Sequence, residues 1–355
     1  MFMLLFRYFL RGLGVDIYDF NFESEGIIIM RKVLSVEPFN ELYYRSCYYN
    51  PLLSGLAYYR GHVNGFLARD IFIYSFDYKR EGLKLSFENK NQASAAELLR
   101  QDGVCLLEIT ESVNDFDYFK RVISDCICDN KLIFIHIDRY NWSNLRYNSK
   151  YYKQQHFPHF FLVYGFDDDL QTYSVVDSSV EECIANNISY EELFLCYMDY
   201  ENMDSGKATM HKLDPIKEYP QFDYKTLFID NVLKNKREIY MGLDALHEAV
   251  EYFSPISQLF MPNDVKSVAR DARDIYWTKV TQMYQNKSFL GNNPVISELL
   301  QKLCGNMPLI SGILVKYLIT SSISNKSQNF LESTFLEFES LERKYYDVLL
   351  NTIGE

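Results

Sequence analysis

The sequence predicts an α+β protein with two domains, a mixed helix-and-strand domain over residues 1–221 and an all-α helical bundle over residues 222–355. In the first part of the chain, short apolar strands alternate with helical segments. Beyond residue 222 only long helical periods occur. A length of 355 residues also exceeds what one hydrophobic core usually supports, so two domains are expected.

The N-terminal domain is predicted to mix short helices with strands. Residues 1–45 have the pattern of short strands and turns. Apolar residues at helical spacing predict helices at 51–60, 93–102 and 115–129. Short β-branched and aromatic runs predict strands at 104–109, 131–138, 159–166 and 172–178. An Asp-rich turn, Asp167 to Asp169, separates the last two strands and predicts a β-hairpin.

The C-terminal domain is predicted to be a bundle of four or more helices. Their apolar periods cover 224–252, 263–286, 294–320 and 328–351, with proline and glycine residues between them. The stretch 200–222 contains one glycine and two prolines and is predicted to be the linker.

The composition argues against several classes of protein. A net charge of −12 disfavours a general nucleic-acid binder and contact with anionic membranes. The N-terminal run MFMLLFRYFL is interrupted by Arg7 and lacks a cleavage site, so we expect an element of the fold there, not a signal peptide. No later run approaches the ~18 uncharged apolar residues of a membrane span. Seven irregularly spaced cysteines indicate free thiols in a reducing cytoplasm.

Three residues follow one another in an order that suits cysteine chemistry. A cysteine nucleophile needs a base beside it and a group that orients the base. Cys47 lies before the first predicted helix, His159 opens a strand, and Asp177 ends the next strand. Two hairpin strands and a short turn bring the chain back to its start, so Asp177 should lie beside His159.

The run 133–179, IFIHIDRYNWSNLRYNSKYYKQQHFPHFFLVYGFDDDLQTYSVVDSS, resembles the signature of the butirosin biosynthesis H-protein N-terminal family. That family has a strand ending in Asp, an aromatic loop, a His-led strand ending in Tyr-Gly-Tyr/Phe-Asp, and a strand ending in Asp. Segment 46–61, SCYYNPLLSGLAYYRG, is similar to the family's cysteine-led helix. The helices after residue 222 resemble a domain often fused to it. Papain-like C39-type peptidases share the same pair of strands.

The resemblance implies a papain-like fold for residues 1–221 and acyl transfer through a cysteine thioester. Cys47 would be the nucleophile, His159 the general base and Asp177 the orienting carboxylate. The family's namesake moves an aminoacyl group from an acyl carrier protein to an amine of an aminoglycoside. The implied partners are therefore an acyl carrier protein and a small-molecule amine acceptor, in natural-product biosynthesis. No cofactor of the protein's own is implied, since the donor carries the phosphopantetheine.

The oxyanion hole departs from the papain-like pattern, which places a glutamine several residues before the cysteine. Here Asn40 and Glu41 occupy that region, and only the Asn40 amide can donate a hydrogen bond without first being protonated. Asn50 and Pro51 form a typical pair for a helix N-cap and first position, which predicts that the helix begins after Cys47. Asn50 and Asp138 are further candidates for contact with the oxyanion or the substrate.

Residues 139–153 form a basic, aromatic loop without any acidic residue. Its cations are Arg139, Arg146, Lys150 and Lys153. One interpretation is a docking patch for an acidic carrier protein or its phosphopantetheine arm. The alternative is a solvated loop that packs some of its rings on the core.

Three functions remain open on the sequence: an acyltransferase, a hydrolase of the same fold (peptidase or thioesterase), and an inactive module that binds a carrier. The missing glutamine favours transfer over peptide hydrolysis. No metal site is expected, because Pro158 breaks any helix that would bring His156 and His159 onto one face. A homodimer through the helical domain is a further alternative. The identities of the acyl donor and acceptor are not encoded in any motif that we find.

Overall fold

A computed structural model describes residues 21–22, 28–29, 31–41, 47–79, 82–89, 94–109, 113, 115–178, 182–201, 209–219, 222–252 and 262–354. The N-terminal run that includes Arg7 lies outside these residues. The described chain mixes helices with an antiparallel sheet, as an α+β protein should.

The chain divides into two compact units. The first contains residues 1–62 and 99–219, and the second contains residues 63–98 and 220–355. The sequence had suggested one uninterrupted N-terminal domain over 1–221. The structure differs in that residues 63–98 leave the first unit and join the C-terminal helices.

The described strands of the first unit are β1 (Asn21–Phe22), β2 (Ile28–Ile29), β3 (Arg31–Val33), β6 (Val104–Glu108), β7 (Leu132–Asp138), β8 (Pro158–Asp167), β9 (Thr172–Ser178), β10 (Cys183–Ser189) and β11 (Met210–Pro215). β1 and β2 pair with each other, and the other seven strands form one antiparallel sheet in the order β10-β9-β8-β7-β11-β6, with β3 paired to the far half of β8. Its helices are α1 (Tyr49–Arg60), α4 (Phe116–Cys128), a 3₁₀ turn (Arg139–Asn141), α5 (Leu145–Asn148) and α6 (Tyr190–Glu201).

The segment predicted to be a linker contains a strand in the interior of this sheet. β11 pairs with β7 on one side and with β6 on the other, so the prediction for this part of 200–222 was wrong. The pattern was hard to recognise because the strand has only two buried residues, Met210 and Leu213, and ends on Pro215.

Helix α1 packs closely on the sheet through a small residue. Leu52, Leu53 and Leu56 are fully buried, and the helix approaches the sheet nearest at Gly55. A methyl group at Gly55 would lie 2.8 Å from a methyl carbon of Leu213, so only glycine allows this approach without rearrangement. The close packing fixes the chain just before α1, where Cys47 lies.

Gly103 lies in a turn whose carbonyl oxygens accept hydrogen bonds from Arg60, and its substitution tests how closely this turn is packed. Gly103 has a φ of +77°, and a Cβ there would lie 2.6 Å from the Tyr219 ring and would also collide with Arg60. We expect Gly103→Ala to lower the free energy of unfolding by about 2–4 kcal/mol, since strain and overpacking combine. Gly61→Ala is the matched control. Its φ is +70° but its Cβ meets nothing within 4 Å, so about 1–2 kcal/mol is expected. Equal losses in urea unfolding would contradict the packing described.

The second unit contains long helices and one hairpin. Its elements are α2 (Asn64–Arg69), β4 (Phe72–Lys79), β5 (Gly82–Asn89), α7 (Tyr224–Lys234), α8 (Lys236–Tyr252), α9 (Pro262–Phe289), α10 (Pro294–Thr320) and α11 (Asn325–Gly354), while α3 (Ala95–Gln101) crosses the boundary between the units. The helix predicted over 224–252 is interrupted at Asn235. The β4–β5 hairpin packs on α8, where Gly242 approaches the backbone of Tyr74.

Helix α10 is the one described helix that is long and apolar enough to cross a membrane, with a mean hydropathy of 1.4. The core helix of a soluble bundle passes the same test, so a single helix of this kind is weak evidence for a span. In the second unit α10 packs against α9 and α11.

Candidate active site

The β8–β9 hairpin brings His159 and Asp177 together. Phe161 on β8 is opposite Asp177 on β9, so His159 and Asp177 are diagonal neighbours. The His159 Nε2 atom lies 2.5 Å from the Asp177 Oδ1 atom. Both side chains are buried, Asp177 completely and His159 with 1% of its surface exposed. The hairpin geometry expected from the eighteen-residue spacing therefore yields a buried imidazole–carboxylate pair.

Cys47 lies beside this pair. Its thiol is half-buried, and the backbone of Phe160, the residue that follows His159, lowers the pKa of the thiol. The charges of Asp177 and Arg139 both act on the thiol. No direct hydrogen bond joins Cys47 to His159 among the described residues, and the His159 Nδ1 atom is buried without a partner there. The Nδ1 atom is thus available to accept a proton.

The helix after Cys47 begins earlier than the Asn50–Pro51 pair indicated. α1 starts at Tyr49, and its N-cap position is Tyr48, which makes no side-chain capping bond. Asn50 therefore is not the N-cap, and that prediction was wrong. Cys47 precedes the first helical residue by two positions, which brings it within the range where the helix dipole favours negative charge.

Arg139 lies beside the imidazole–carboxylate pair, a position that the sequence analysis did not predict. It was predicted as a surface cation for carrier docking, but only 4% of it is exposed, so it cannot contribute to a docking surface. Its Nη2 atom donates to both oxygens of Asp177, at 2.7 Å each. The ends of strands β7 and β8 could have predicted this position. Asp138 on β7 is opposite Pro158 on β8, so residue 139 comes to the same edge of the sheet as His159.

The burial and charges around the pair favour an uncharged thiol on Cys47 and an uncharged imidazole on His159. Burial raises the pKa of the Cys47 thiol above its ordinary value, more than Arg139 lowers it. Burial lowers the pKa of His159, and the positive charge of Arg139 lowers it further. The negative charge of Asp177 acts in the opposite direction but does not outweigh them. Burial alone would raise the pKa of Asp177, but His159 and Arg139 hold it below its ordinary value. At neutral pH we therefore expect a thiol, an unprotonated imidazole and a carboxylate.

This charge state predicts slow alkylation of Cys47 at neutral pH. The rate with iodoacetamide should keep rising with pH beyond 9, because only the thiolate reacts and its pKa lies above the ordinary 9.0. Peptide mapping by mass spectrometry at several pH values gives this rate for Cys47 alone. A fast plateau between about pH 5 and 7, as in thiolate–imidazolium pairs, would contradict it.

No family model and no curated protein matches the chain. The likeness described for 133–179 and 46–61 therefore rests on those residues alone. What the site can do follows from its chemistry and geometry.

Asp138 stabilises the loop between β7 and β8 and does not face an exposed substrate site. Its carboxylate is fully buried, and its Oδ1 atom accepts from the backbone N–H groups of Tyr140 and Phe157. Its Oδ2 atom contacts His156 Nδ1. These contacts hold the two ends of loop 139–157 together. The position of Asp138 is therefore a structural one, which the candidate role in substrate contact did not anticipate.

The two asparagine candidates differ in their relation to the pair. The Asn40 amide donates to the Cys183 carbonyl oxygen at 2.9 Å, and its oxygen accepts from the Cys183 N–H. Asn40 is thus engaged by β10, and an oxyanion role would require that contact to break. Asn50 is buried and donates to the Ser178 hydroxyl at 3.1 Å, next to Asp177. The amide of Asn50 is thus engaged as well, and an oxyanion role would require it to leave Ser178.

The remaining loop cations stay at the surface. Arg146, Lys150 and Lys153 are exposed, and Leu145 beside them exposes 60% of its side chain. The loop thus presents three exposed basic side chains and one exposed apolar side chain. Arg139 is not one of them.

An aromatic cluster lies next to the thiol. The rings of Tyr48 and Phe160 meet edge to face at 4.9 Å, and Phe160 stacks on Phe134 and on His136. Burial, with His159 and His211 nearby, lowers the pKa of His136 to about 4, so this ring is uncharged at neutral pH. Tyr48, Phe160 and His136 are partly exposed. On this side the surroundings of Cys47 are thus aromatic and uncharged at neutral pH.

The two histidines that are three residues apart do not share a ligand. His156 contacts Asp138, whereas His159 contacts Asp177. Within the described ranges, no group of three His, Cys, Asp or Glu side chains is placed to hold a metal ion.

Proposed function

We propose that the protein is a cysteine acyltransferase that moves an acyl group from a thioester through Cys47 to an amine. The observation that carries this proposal is the buried His159–Asp177 pair at 2.5 Å, with an Nδ1 atom that has no partner among the described residues, together with a half-buried Cys47 thiol on which the Asp177 charge acts. A nucleophile, a base and a group that orients the base are the minimum set for covalent acyl transfer.

The first half-reaction would form an acyl-cysteine. The Cys47 sulfur attacks the thioester carbonyl while His159 Nδ1 takes the thiol proton. The C–S bond to the donor thiol then breaks, and the departing sulfur receives that proton from His159. Asp177 keeps the proton of His159 on Nε2, which leaves Nδ1 as the acceptor. One thioester replaces another, so the step is close to balanced in energy.

The second half-reaction would form an amide. The amine nitrogen attacks the acyl-cysteine carbonyl, and His159 removes a proton from that nitrogen. The C–S bond to Cys47 breaks, and Cys47 regains its proton from His159. An unprotonated imidazole is required at the start of both steps, in agreement with the lowered pKa of His159. Water must be kept from the acyl-enzyme, since otherwise the enzyme becomes a thioesterase.

A papain-like arrangement of the first unit is part of this proposal. The order Cys47, His159, Asp177, the position of Cys47 before a helix, and an antiparallel sheet carrying the other two residues support it. The likeness of 133–179 to the butirosin biosynthesis H-protein family supports the same arrangement and makes natural-product biosynthesis in a reducing cytoplasm the setting that we infer.

An acyl carrier protein is the donor that we infer. Carrier proteins are usually acidic, and a chain of net charge −12 needs a local basic surface to receive one. The exposed side chains of Arg146, Lys150 and Lys153 offer such a surface. Its distance from Cys47 has to be bridged by the long phosphopantetheine arm.

Hydrolysis by the same site is the second candidate function. It uses the same three residues and differs only in the acceptor, which is water. An inactive binding module is the third. A half-buried thiol and an imidazole nitrogen that has no partner among the described residues favour a reactive site over that alternative.

Intact-protein mass spectrometry with simple acyl thioesters tests the proposal. We expect one acyl adduct on the natural protein and none on Cys47→Ala. Cys105→Ala is the control, since Cys105 is also half-buried but lies on β6. No adduct and no thioester turnover would favour the binding module. An adduct that persists in Cys47→Ala would place the chemistry elsewhere.

A further inference from the structure

Asp177 is shared by two partners inside the first unit. His159 Nε2 lies 2.5 Å from its Oδ1 atom, and Arg139 Nη2 lies 2.7 Å from both of its oxygens. All three side chains are buried. A single carboxylate thus faces a full guanidinium charge in addition to the imidazole, in a region with little water to screen either.

Arg139 is itself held firmly. Its guanidinium lies over the Trp142 ring at 5.1 Å, and its carbonyl oxygen accepts from the buried Asn148 side chain at 2.7 Å. Its backbone N–H donates to Phe157 at 3.1 Å. The cation is therefore a fixed part of the site and cannot turn away to solvent.

We propose that Arg139 is a positioning residue that neutralises Asp177 and so keeps His159 as an unprotonated base. The inference rests on the proposed acyl transfer for its purpose. Without Arg139, the Asp177 charge would act on His159 alone and would stabilise the imidazolium, as in sites that hold a ready-made thiolate–imidazolium pair. With Arg139, the imidazole can accept the proton of an incoming amine.

Among the described residues, the charged and titratable groups that act on this site include Asp177 on β9, Arg139 in the 3₁₀ turn, Cys47 before α1 and His136 on β7. His136 is uncharged at neutral pH and Cys47 is a thiol, so of these four groups Asp177 and Arg139 carry charge. The balance between these two decides the protonation of His159.

Imidazole nitrogen NMR of the natural protein and of Arg139→Met tests the assignment, with His159→Gln to identify the signal. In the natural protein we expect His159 to stay neutral, with its proton on Nε2, down to below pH 6.5. In Arg139→Met the midpoint should rise by about one pH unit or more. Arg139→Lys keeps the charge and should restore most of the natural midpoint. A folded Arg139→Met with an unchanged midpoint would overturn the proposal.

If Arg139→Met does not fold, Arg139→Gln replaces it, because its side-chain amide can still donate a hydrogen bond to Asp177 although the positive charge is gone. The His159 midpoint should again rise, and a folded Arg139→Gln with the same midpoint as the natural protein would overturn the proposal. These readings need no substrate. A shifted midpoint without any acyl adduct on Cys47 would refute acyl transfer and leave the role of Arg139 standing, whereas an adduct with equal midpoints would do the reverse.

Discussion

Replacing His159 with glutamine should slow the acylation of Cys47 by about 10²–10⁴-fold at neutral pH. The thiol is protonated there, so its proton must leave as the sulfur attacks, and the acceptor that we propose is His159 Nδ1, which has no partner among the described residues. Mass spectrometry of the acyl-enzyme in samples quenched at a series of times gives the rate. The loss should shrink at pH values above 9, where the thiolate forms without a base.

His247→Gln is the matched control, because it removes a partly exposed histidine of the helical unit, far along the chain from the site. It should leave the acylation rate unchanged. A His159→Gln protein that remains folded and acylates at the natural rate would show that His159 is not the base.

Replacing Lys279 with methionine should lower the free energy of unfolding by about 3–5 kcal/mol. Lys279 and Glu342 are both fully buried in the helical unit and form a direct ion pair. Tyr74 also donates to the same Glu342 oxygen, and Lys279 bonds to Gln282 at 2.9 Å. Removing the lysine would leave a carboxylate in the core with no cation. Urea unfolding followed by far-ultraviolet circular dichroism measures the loss.

The double variant Lys279→Met/Glu342→Leu tests whether the loss comes from the unpaired carboxylate. It removes both charges and replaces them with apolar groups of similar volume, so it should recover most of the stability lost in the single variant. Lys302→Met is the surface control: its ion pair with Glu298 is exposed and screened by solvent, so the loss of stability should be far smaller than in Lys279→Met. Losses of equal size for Lys279 and Lys302 would contradict the buried pair.

Local patterns predicted much of the secondary structure. Helices expected at 115–129 and 294–320 are found at Phe116–Cys128 and Pro294–Thr320. Their starts were predictable because each helix begins after a residue type that is typical of an N-cap. Asp115 accepts from the Tyr118 N–H, and Asn293 caps a helix that begins with proline. The closeness of His159 and Asp177 followed from hairpin geometry, which depends only on residues close in sequence.

Features that depend on distant contacts were not predictable in this way. β11 is a strand because β6 and β7 flank it, and its own sequence contains a proline and few apolar residues. Residues 63–98 join the helical unit through packing, such as the approach of Gly242 to Tyr74, that no single segment reveals. Arg139 seemed a loop cation in sequence, and only the sheet register brings it to Asp177.

The most direct test of acyl transfer is the fate of the isolated acyl-enzyme. The natural protein would be acylated on Cys47, freed of excess thioester, and divided between buffer alone and buffer with a panel of diamines, polyamines and aminoglycosides. We predict a stable adduct in buffer and its rapid loss with at least one amine, with the amide product appearing in equal amount. Loss at the same rate in both, with only free acid as product, would contradict acyl transfer and identify a hydrolase.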